Sequence, residues 1–221
     1  MQLSELRAQV RRHLAEASTD VFSDALINNK LERAQGDLCG RWGLIQVPGI
    51  VNFAGSFAVM PPGFIHPGED KPKINGVPLQ RIDLSDLMMR DPLALTTSSQ
   101  GGPTTHYVYE ESLTIGGGAN NIGLWPASAG TLTLTYVARP TALVLDTDVP
   151  WNGKYETFHE IIAMDAANAL QIEQGSSAAA NTVFYSIFMK RKEEFSAYLS
   201  RGKIGKKIVL RSLIGKGGWQ R

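Results

Sequence analysis

Four histidines, His13, His66, His106 and His159, and one cysteine, Cys39, are the side chains of this 221-residue sequence best suited to hold a metal or act as a nucleophile. They lie far apart, and none belongs to a Cys/His cluster of ligand spacing. Gly116-Gly117-Gly118 and Gly215-Lys216-Gly217-Gly218 invite a phosphate-loop reading. Neither has the Gly-x-x-x-x-Gly-Lys-Ser/Thr frame whose backbone N–H groups cradle phosphates. There is no Gly-x-Ser-x-Gly elbow to expose a serine, and Cys39 falls near the end of an amphipathic pattern, where a small packed thiol fits. Two carboxylate pairs remain, Glu156 with Glu160 and Glu110 with Glu111. Glycoside hydrolysis needs two carboxyls at a set separation, but acids at helical spacing near a helix start fit solvated groups favoured by the macrodipole. Asp165 interrupts an apolar face and is expected to meet a partner, such as Arg191 or a neighbouring subunit. These residues predict no enzyme, no cofactor and no metal site.

The elements that would position them read as helical ends around a strand-rich middle. Leu3, Leu6, Val10 and Leu14 recur at three- and four-residue steps and predict an amphipathic helix broken at Ser18-Thr19-Asp20. Ser23 is suited to cap a second helix, with Asp24 in its first turn and Leu26, Ile27, Leu31, Ala34 and Leu38 on its apolar face. From Trp42 to Pro150 glycine and proline become frequent, and short β-prone runs appear at Ile50–Phe53, Phe57–Met60, Val77–Ile82, His106–Tyr109, Leu113–Ile115 and Thr131–Val137. Asn75-Gly76 accepts the positive φ of a two-residue type I′ hairpin. Leu84–Arg90 predicts a short helix ended by Asp91-Pro92, and Ser98–Pro103 a loop. After Trp151-Asn152-Gly153, Tyr155, Phe158, Ile161, Ile162, Ala166, Ala169 and Leu170 predict a third helix. Ala180, Val183, Phe184, Ile187, Phe188, Phe195 and Leu199 predict a fourth. The expected fold is α+β: residues 1–43 and 151–200 form a four-helix bundle from N- and C-terminal helix pairs, with a central antiparallel β insertion domain at 44–150 and an extended C-terminal arm at 201–221.

Net charge divides the chain. Residues 201–221 hold seven Lys or Arg and no acid, leaving 15 basic against 21 acidic residues in 1–200. Such an arm is suited to touch another molecule. Its cations would meet nucleic-acid phosphates without reading sequence, with steep salt dependence. Yet Ile204, Ile208-Val209-Leu210 and Leu213-Ile214 interleave with them, which better fits a segment that folds onto a protein surface. No run approaches the roughly 18 apolar residues of a spanning helix, so no membrane partner is expected. The single cysteine suits a reducing compartment, and synthesis in a cytoplasm is the default.

Leu3-Ser4-Glu5-Leu6-Arg7 through Val10-Arg11-Arg12-His13-Leu14, followed by Phe22-Ser23-Asp24 and Leu31-Glu32-Arg33-Ala34-Gln35-Gly36-Asp37-Leu38, resembles the opening of head-to-tail adaptor (connector) proteins of tailed bacteriophages. Met60-Pro61-Pro62-Gly63-Phe64-Ile65, the Asn75-Gly76 hairpin, Leu79-Gln80-Arg81-Ile82-Asp83, Pro103-Thr104-Thr105-His106-Tyr107, Ile122-Gly123-Leu124-Trp125-Pro126, Thr133-Leu134-Thr135-Tyr136 with Arg139-Pro140, and Asp146-Thr147-Asp148 follow in that family's order. The resemblance covers about residues 3–199; residues 61–75 look longer than the usual turn, and the tail matches no family motif. It implies a virion protein at the head–tail junction, made in the host bacterial cytoplasm. It further implies a homo-oligomeric ring, commonly of twelve copies, that binds the portal protein, passes DNA without sequence specificity and receives a tail tube or nozzle protein. The portal-docking arm would then comprise Arg201, Lys203, Ile204, Lys206, Lys207, Ile208, Val209, Leu210, Arg211, Leu213, Ile214, Lys216, Trp219 and Arg221. Two other readings stay open at this point: a nucleic-acid-binding protein acting through the basic arm, and an adaptor with added peptidoglycan hydrolase activity, for which Glu156 and Glu160 would be the first carboxylates to mutate.

Overall fold

The computed structural model describes residues 1–15, 21–94, 102–109, 121–173 and 182–214. The chain divides into two compact units, Met1–Gln35 with Ala142–Arg221, and Gly36–Thr141.

In the first unit, α1 (Leu3–His13) buries Leu3, Leu6 and Val10, as their spacing requires. Glu5 Oε2 accepts the Gln2 backbone N–H at 2.8 Å, satisfying a donor that a helix start leaves without an intrahelical partner. Ser23 Oγ accepts the Leu26 N–H at 3.3 Å and so caps α2 (Asp24–Trp42), which buries Ile27, Leu31, Ala34 and Leu38. Arg7 and Arg11 of α1 reach Asp24 at 3.2 and 2.6 Å, and Arg7 also pairs with Asp146. The hydrogen bond from Arg11, and then the charge of Arg7, hold the Asp24 carboxyl below its ordinary range. The central helix of this unit lies later in the chain, numbered here α4 (Glu160–Glu173) after the short α3 (Leu84–Arg90) of the second unit. Ile161, Ile162, Ala163, Met164, Ala166, Ala167 and Leu170 are all buried. A helix apolar on nearly every side belongs in a core, and α4 packs against both α1 and α5 (Thr182–Ile214).

Two 3-10 turns, Pro150–Gly153 and Glu156–Phe158, lead into α4. Trp151, Asn152 and Tyr155 have φ of 49°, 56° and 60°, a left-handed region that costs side-chain-bearing residues about 1–3 kcal/mol each. The buried Trp151 indole holds them there. Its Nε1–H donates to the Gln35 carbonyl at 3.1 Å, its ring stacks on Phe195 at 5.6 Å and 14°, and the His159 ring stands edge-on at 5.7 Å and 73°. His159 is itself fully buried. Its Nε2–H donates to the Lys154 carbonyl at 2.7 Å, and its Nδ1 lies 3.4 Å from the Met1 amino nitrogen.

The second unit is organised by one long strand, β7 (Asn121–Ala138). β1 (Gln46–Val59) pairs antiparallel along almost all of it. β2 (Phe64–Pro67), β3 (Lys73–Ile74) and β6 (His106–Val108) also pair antiparallel with β7. β4 (Val77–Pro78) adds to β3, and β5 (Gln80–Arg81) adds to β6 in parallel, giving a mixed seven-stranded sheet. Asn75 and Gly76, at φ 50° and 82°, make the predicted hairpin turn, and α3 occupies Leu84–Arg90 as its sequence requires. Phe53, Phe64, Ile74, Leu79, Ile122, Leu124, Leu132 and Leu134 form the main core, with a smaller cluster of Ile82, Leu87, Ala94 and Val108 beside α3.

The four-helix bundle with a central antiparallel β insertion domain is thus overturned. The described residues hold five α-helices and a large mixed sheet, and the segment expected as an extended arm continues α5 as helix through Ile214. Proline and glycine misled the strand reading. Ile50–Phe53 and Phe57–Met60 belong to one ladder, interrupted only by a register shift between Gly55 (φ 103°) and Phe57. Pro48 is accommodated because Ala138 N–H donates to Ile45 O at 2.8 Å. The backbone N–H and C=O groups of odd-numbered residues in this stretch therefore face β7. Those of Pro48 face the other edge of β1, which pairs with no strand among the described residues and needs no N–H there. Leu113–Ile115 and Ser98–Gly101 lie outside the described residues.

Two glycine substitutions are expected to act in opposite directions. A Cβ on Gly36, inside α2, meets nothing within 4 Å, so Gly36→Ala should stabilise by about 0.5–1 kcal/mol. A Cβ on Gly68 would stand 2.8 Å from the Thr135 carbonyl oxygen, so Gly68→Ala should destabilise by about 1–3 kcal/mol. Urea titration reads both, and equal signs would contradict this packing. Burial lowers the His159 pKa below its ordinary 6.5, against the opposing hydrogen bond to Lys154. The unfolded chain then takes up a proton near 6.5 that the folded chain resists, so this contribution is complete above that pH and falls as pH drops below it. The urea midpoint should fall between pH 7.5 and 5.5, and His159→Gln should reduce that fall.

Candidate functional site

The structure separates most residues that composition had offered for chemistry. His13 lies 5.1 Å from the Phe184 ring at a tilt of 52°, and burial, then the charge of Arg12, lower its pKa. His66 sets Nδ1 2.7 Å from the Pro67 carbonyl and Nε2 2.9 Å from that of Gly40. His106 lies 2.8 Å from Thr105 Oγ1 and 5.6 Å from the Trp125 ring. Cys39 is buried with Sγ 3.4 Å from the Ala138 carbonyl. Among the described residues no group of three His, Cys, Asp or Glu could hold a metal ion.

Of the carboxylate pair, Glu156 is exposed and Glu160 is engaged in an ion pair. Glu156 begins a 3-10 turn, whereas Glu160 begins α4 and receives Arg191 Nε at 2.7 Å. Arg191 also binds Glu194 at 2.8 Å. Asp165 finds a cation one residue away from the expected one: Lys192 Nζ sits 3.1 Å from its carboxylate and 4.1 Å from the centroid of the Phe188 ring. One helical step moves Lys192, not Arg191, over that ring. Glu110, Glu111 and Gly116–Gly118 lie outside the described residues.

Surfaces remain as the candidates among the described residues, and α5 carries one of them. Of its expected apolar face, Phe188 and Phe195 are buried, whereas Val183 and Ile187 are exposed, together with Tyr185, Met189 and Tyr198. Ala180 lies outside the described residues. Phe184 and Leu199, half-buried, lie on the same seam as Phe188 and Phe195. The signal was present in the sequence: the seven-residue spacing of Phe188 and Phe195 defines one narrow seam, which leaves Val183 and Ile187 off it. A second surface, which the sequence reading missed, is the loop before Pro150. Asp148 Oδ2 accepts the N–H groups of Val144 and Leu145 at 2.7 Å each, and Glu32 Oε2 accepts that of Leu143 at 2.9 Å. These bonds fix the loop while Val144 and Leu145 face solvent.

Of the basic segment, Arg201 is exposed, and Lys203, Ile204, Lys206, Lys207, Ile208, Val209, Leu210, Arg211, Leu213 and Ile214 are placed on the backbone of α5. Lys216, Trp219 and Arg221 lie outside the described residues. No helix among the described residues is long and apolar enough to cross a membrane.

A search of curated proteins gives no match. The family model described as SU10 adaptor protein matches residues 1–202. That span takes in both units up to the first residues of the basic segment. It agrees with the order of motifs from Leu3-Ser4-Glu5-Leu6 onward. The chain belongs to the SU10 adaptor protein family and is a structural head-to-tail adaptor of tailed bacteriophages.

Proposed function

We propose that the protein assembles as a ring, twelve copies being usual for such adaptors, beneath the portal of the virion. The ring continues the DNA channel without reading sequence and offers its far side to a tail tube or nozzle protein. Docking to the portal falls to the basic segment, Arg201, Lys203, Ile204, Lys206, Lys207, Ile208, Val209, Leu210, Arg211, Leu213, Ile214, Lys216, Trp219 and Arg221.

The observation that supports this reading is the continuity of α5. The helix runs 33 residues from Thr182 to Ile214, roughly 50 Å at 1.5 Å per residue. The family match ends at residue 202, close to where the basic run begins. A docking segment that continues a helix seated on α4 needs less ordering on binding than a loose tail does, which favours affinity. Seven cations without an acid call for an acidic receiving surface, whose attraction speeds encounter and fixes orientation. Repetition around a ring would multiply a weak contact through effective concentration.

Deletion of residues 201–221 should leave the urea midpoint of the body nearly unchanged, with circular dichroism losing only the helical signal of residues 201–214, while abolishing co-sedimentation with portal rings. Normal docking by the truncated protein would remove the segment from this assignment. Charge-dependent docking should also weaken as salt rises from about 50 to 200 mM.

A further inference from the structure

We propose that α5 supplies both halves of the contact between adjacent copies of this chain, one flank of the helix meeting the opposite flank of the next copy. The inference rests on the ring reading above and names the surface that closes it.

The argument starts from what α5 buries. Phe188 and Phe195, seven residues apart, form its buried seam. At 100° per residue, Val183, Ile187 and Tyr198 fall to one side of that seam and Tyr185 and Met189 to the other, the two groups roughly 180° apart. The first three are 69%, 47% and 54% exposed, and the last two 41% and 39%. An ordinary surface helix has one apolar stripe and a polar remainder. This one has a seam and two flanks that each expose apolar side chains, with the paired Arg191 and Glu194 among those of the first and Lys192 and Ser196 beside those of the second. The flanks face opposite ways, so whatever covers one cannot cover the other. Two different patches on one subunit are what a heterologous, ring-closing contact requires, whereas a two-fold dimer needs one self-complementary patch.

Charge points to the same occupant. Lys190 borders the flank of Val183 and Ile187 on its solvent side, and Glu193 borders the flank of Met189. Both are exposed, and among the described residues neither makes an ion pair. Their neighbours Arg191, Lys192 and Glu194 are all engaged in ion pairs inside the unit. When one flank meets the other across two copies, Lys190 comes to face Glu193 at the rim, an opposite-charge match that specifies partner and register. A second copy of this chain therefore fits both the apolar and the charged parts of the surface.

Paired cysteines test it, because the chain's single native cysteine, Cys39, is buried. The full-length double variant I187C/M189C, treated with a short bismaleimide on portal rings and at high concentration alone, should give a ladder of dimers, trimers and larger species. I187C or M189C by itself should stay monomeric on denaturing gels. Dimers from either single variant would indicate a two-fold contact and overturn the proposal. Rings seen by electron microscopy without a ladder would overturn it while leaving the ring reading intact; neither rings nor ladder would sink both. Independently, Lys190→Glu should reduce ring yield several-fold and Glu193→Lys in the same chain should restore it. Unchanged yield in the single variant, or no restoration in the double, would count against the proposal.

Discussion

The indole of Trp151 is fully buried, and its placement sets the arrangement of the helical unit. Its N–H is held by the Gln35 carbonyl of α2, its face by Phe195 of α5, and its edge by His159 at the start of α4. One side chain thus ties together three helices that are distant in sequence. The backbone around it is strained at Trp151, Asn152 and Tyr155. Burying an aromatic of about 200 Å² at about 25 cal/mol per Å² is worth about 5 kcal/mol, comparable to the strain of three such residues at about 1–3 kcal/mol each. The turn persists because the indole has no equivalent place to go.

In the second unit the organising element is backbone rather than side chain. β7 gives its hydrogen-bonding groups to β1 along nearly its whole length and to β2, β3 and β6 in succession. The short strands depend on it for pairing, since two-residue strands such as β3 and β4 have almost no stability of their own. Thr135 shows how closely the ladder is fitted. Its carbonyl receives the Gly68 N–H at 2.7 Å, an approach that leaves no room for a Cβ.

Division of labour along α5 links this architecture to function. Its seam joins the unit through Phe188 and Phe195, its flanks are offered to neighbouring copies in the proposal above, and its continuation bears the basic residues assigned to docking. Reactive groups, by contrast, are taken up by packing: Glu160 by Arg191, Asp165 by Lys192, and Cys39 by burial. An adaptor works by holding others in register, and a long helix seated at one end on a core is a stiff way to do so.

Local chemistry was legible in the residues themselves. Leu3, Leu6 and Val10 gave α1, Ser23 its cap on α2, Asn75-Gly76 the hairpin and Leu84–Arg90 α3, because each depends on neighbours within a few positions. The order of short motifs also carried the family, which the match over residues 1–202 bears out. Tertiary structure alone decided the rest. Whether Pro48 and Gly55 end a strand depends on which edge and which bulge they occupy, and that depends on β7 some eighty residues later. Whether Val183 and Ile187 line a core or a surface depends on how much of α5 its neighbours can cover, and they cover only a seam. Periodicity records that a residue is apolar; only packing against distant parts of the chain determines whether anything in the same molecule buries it.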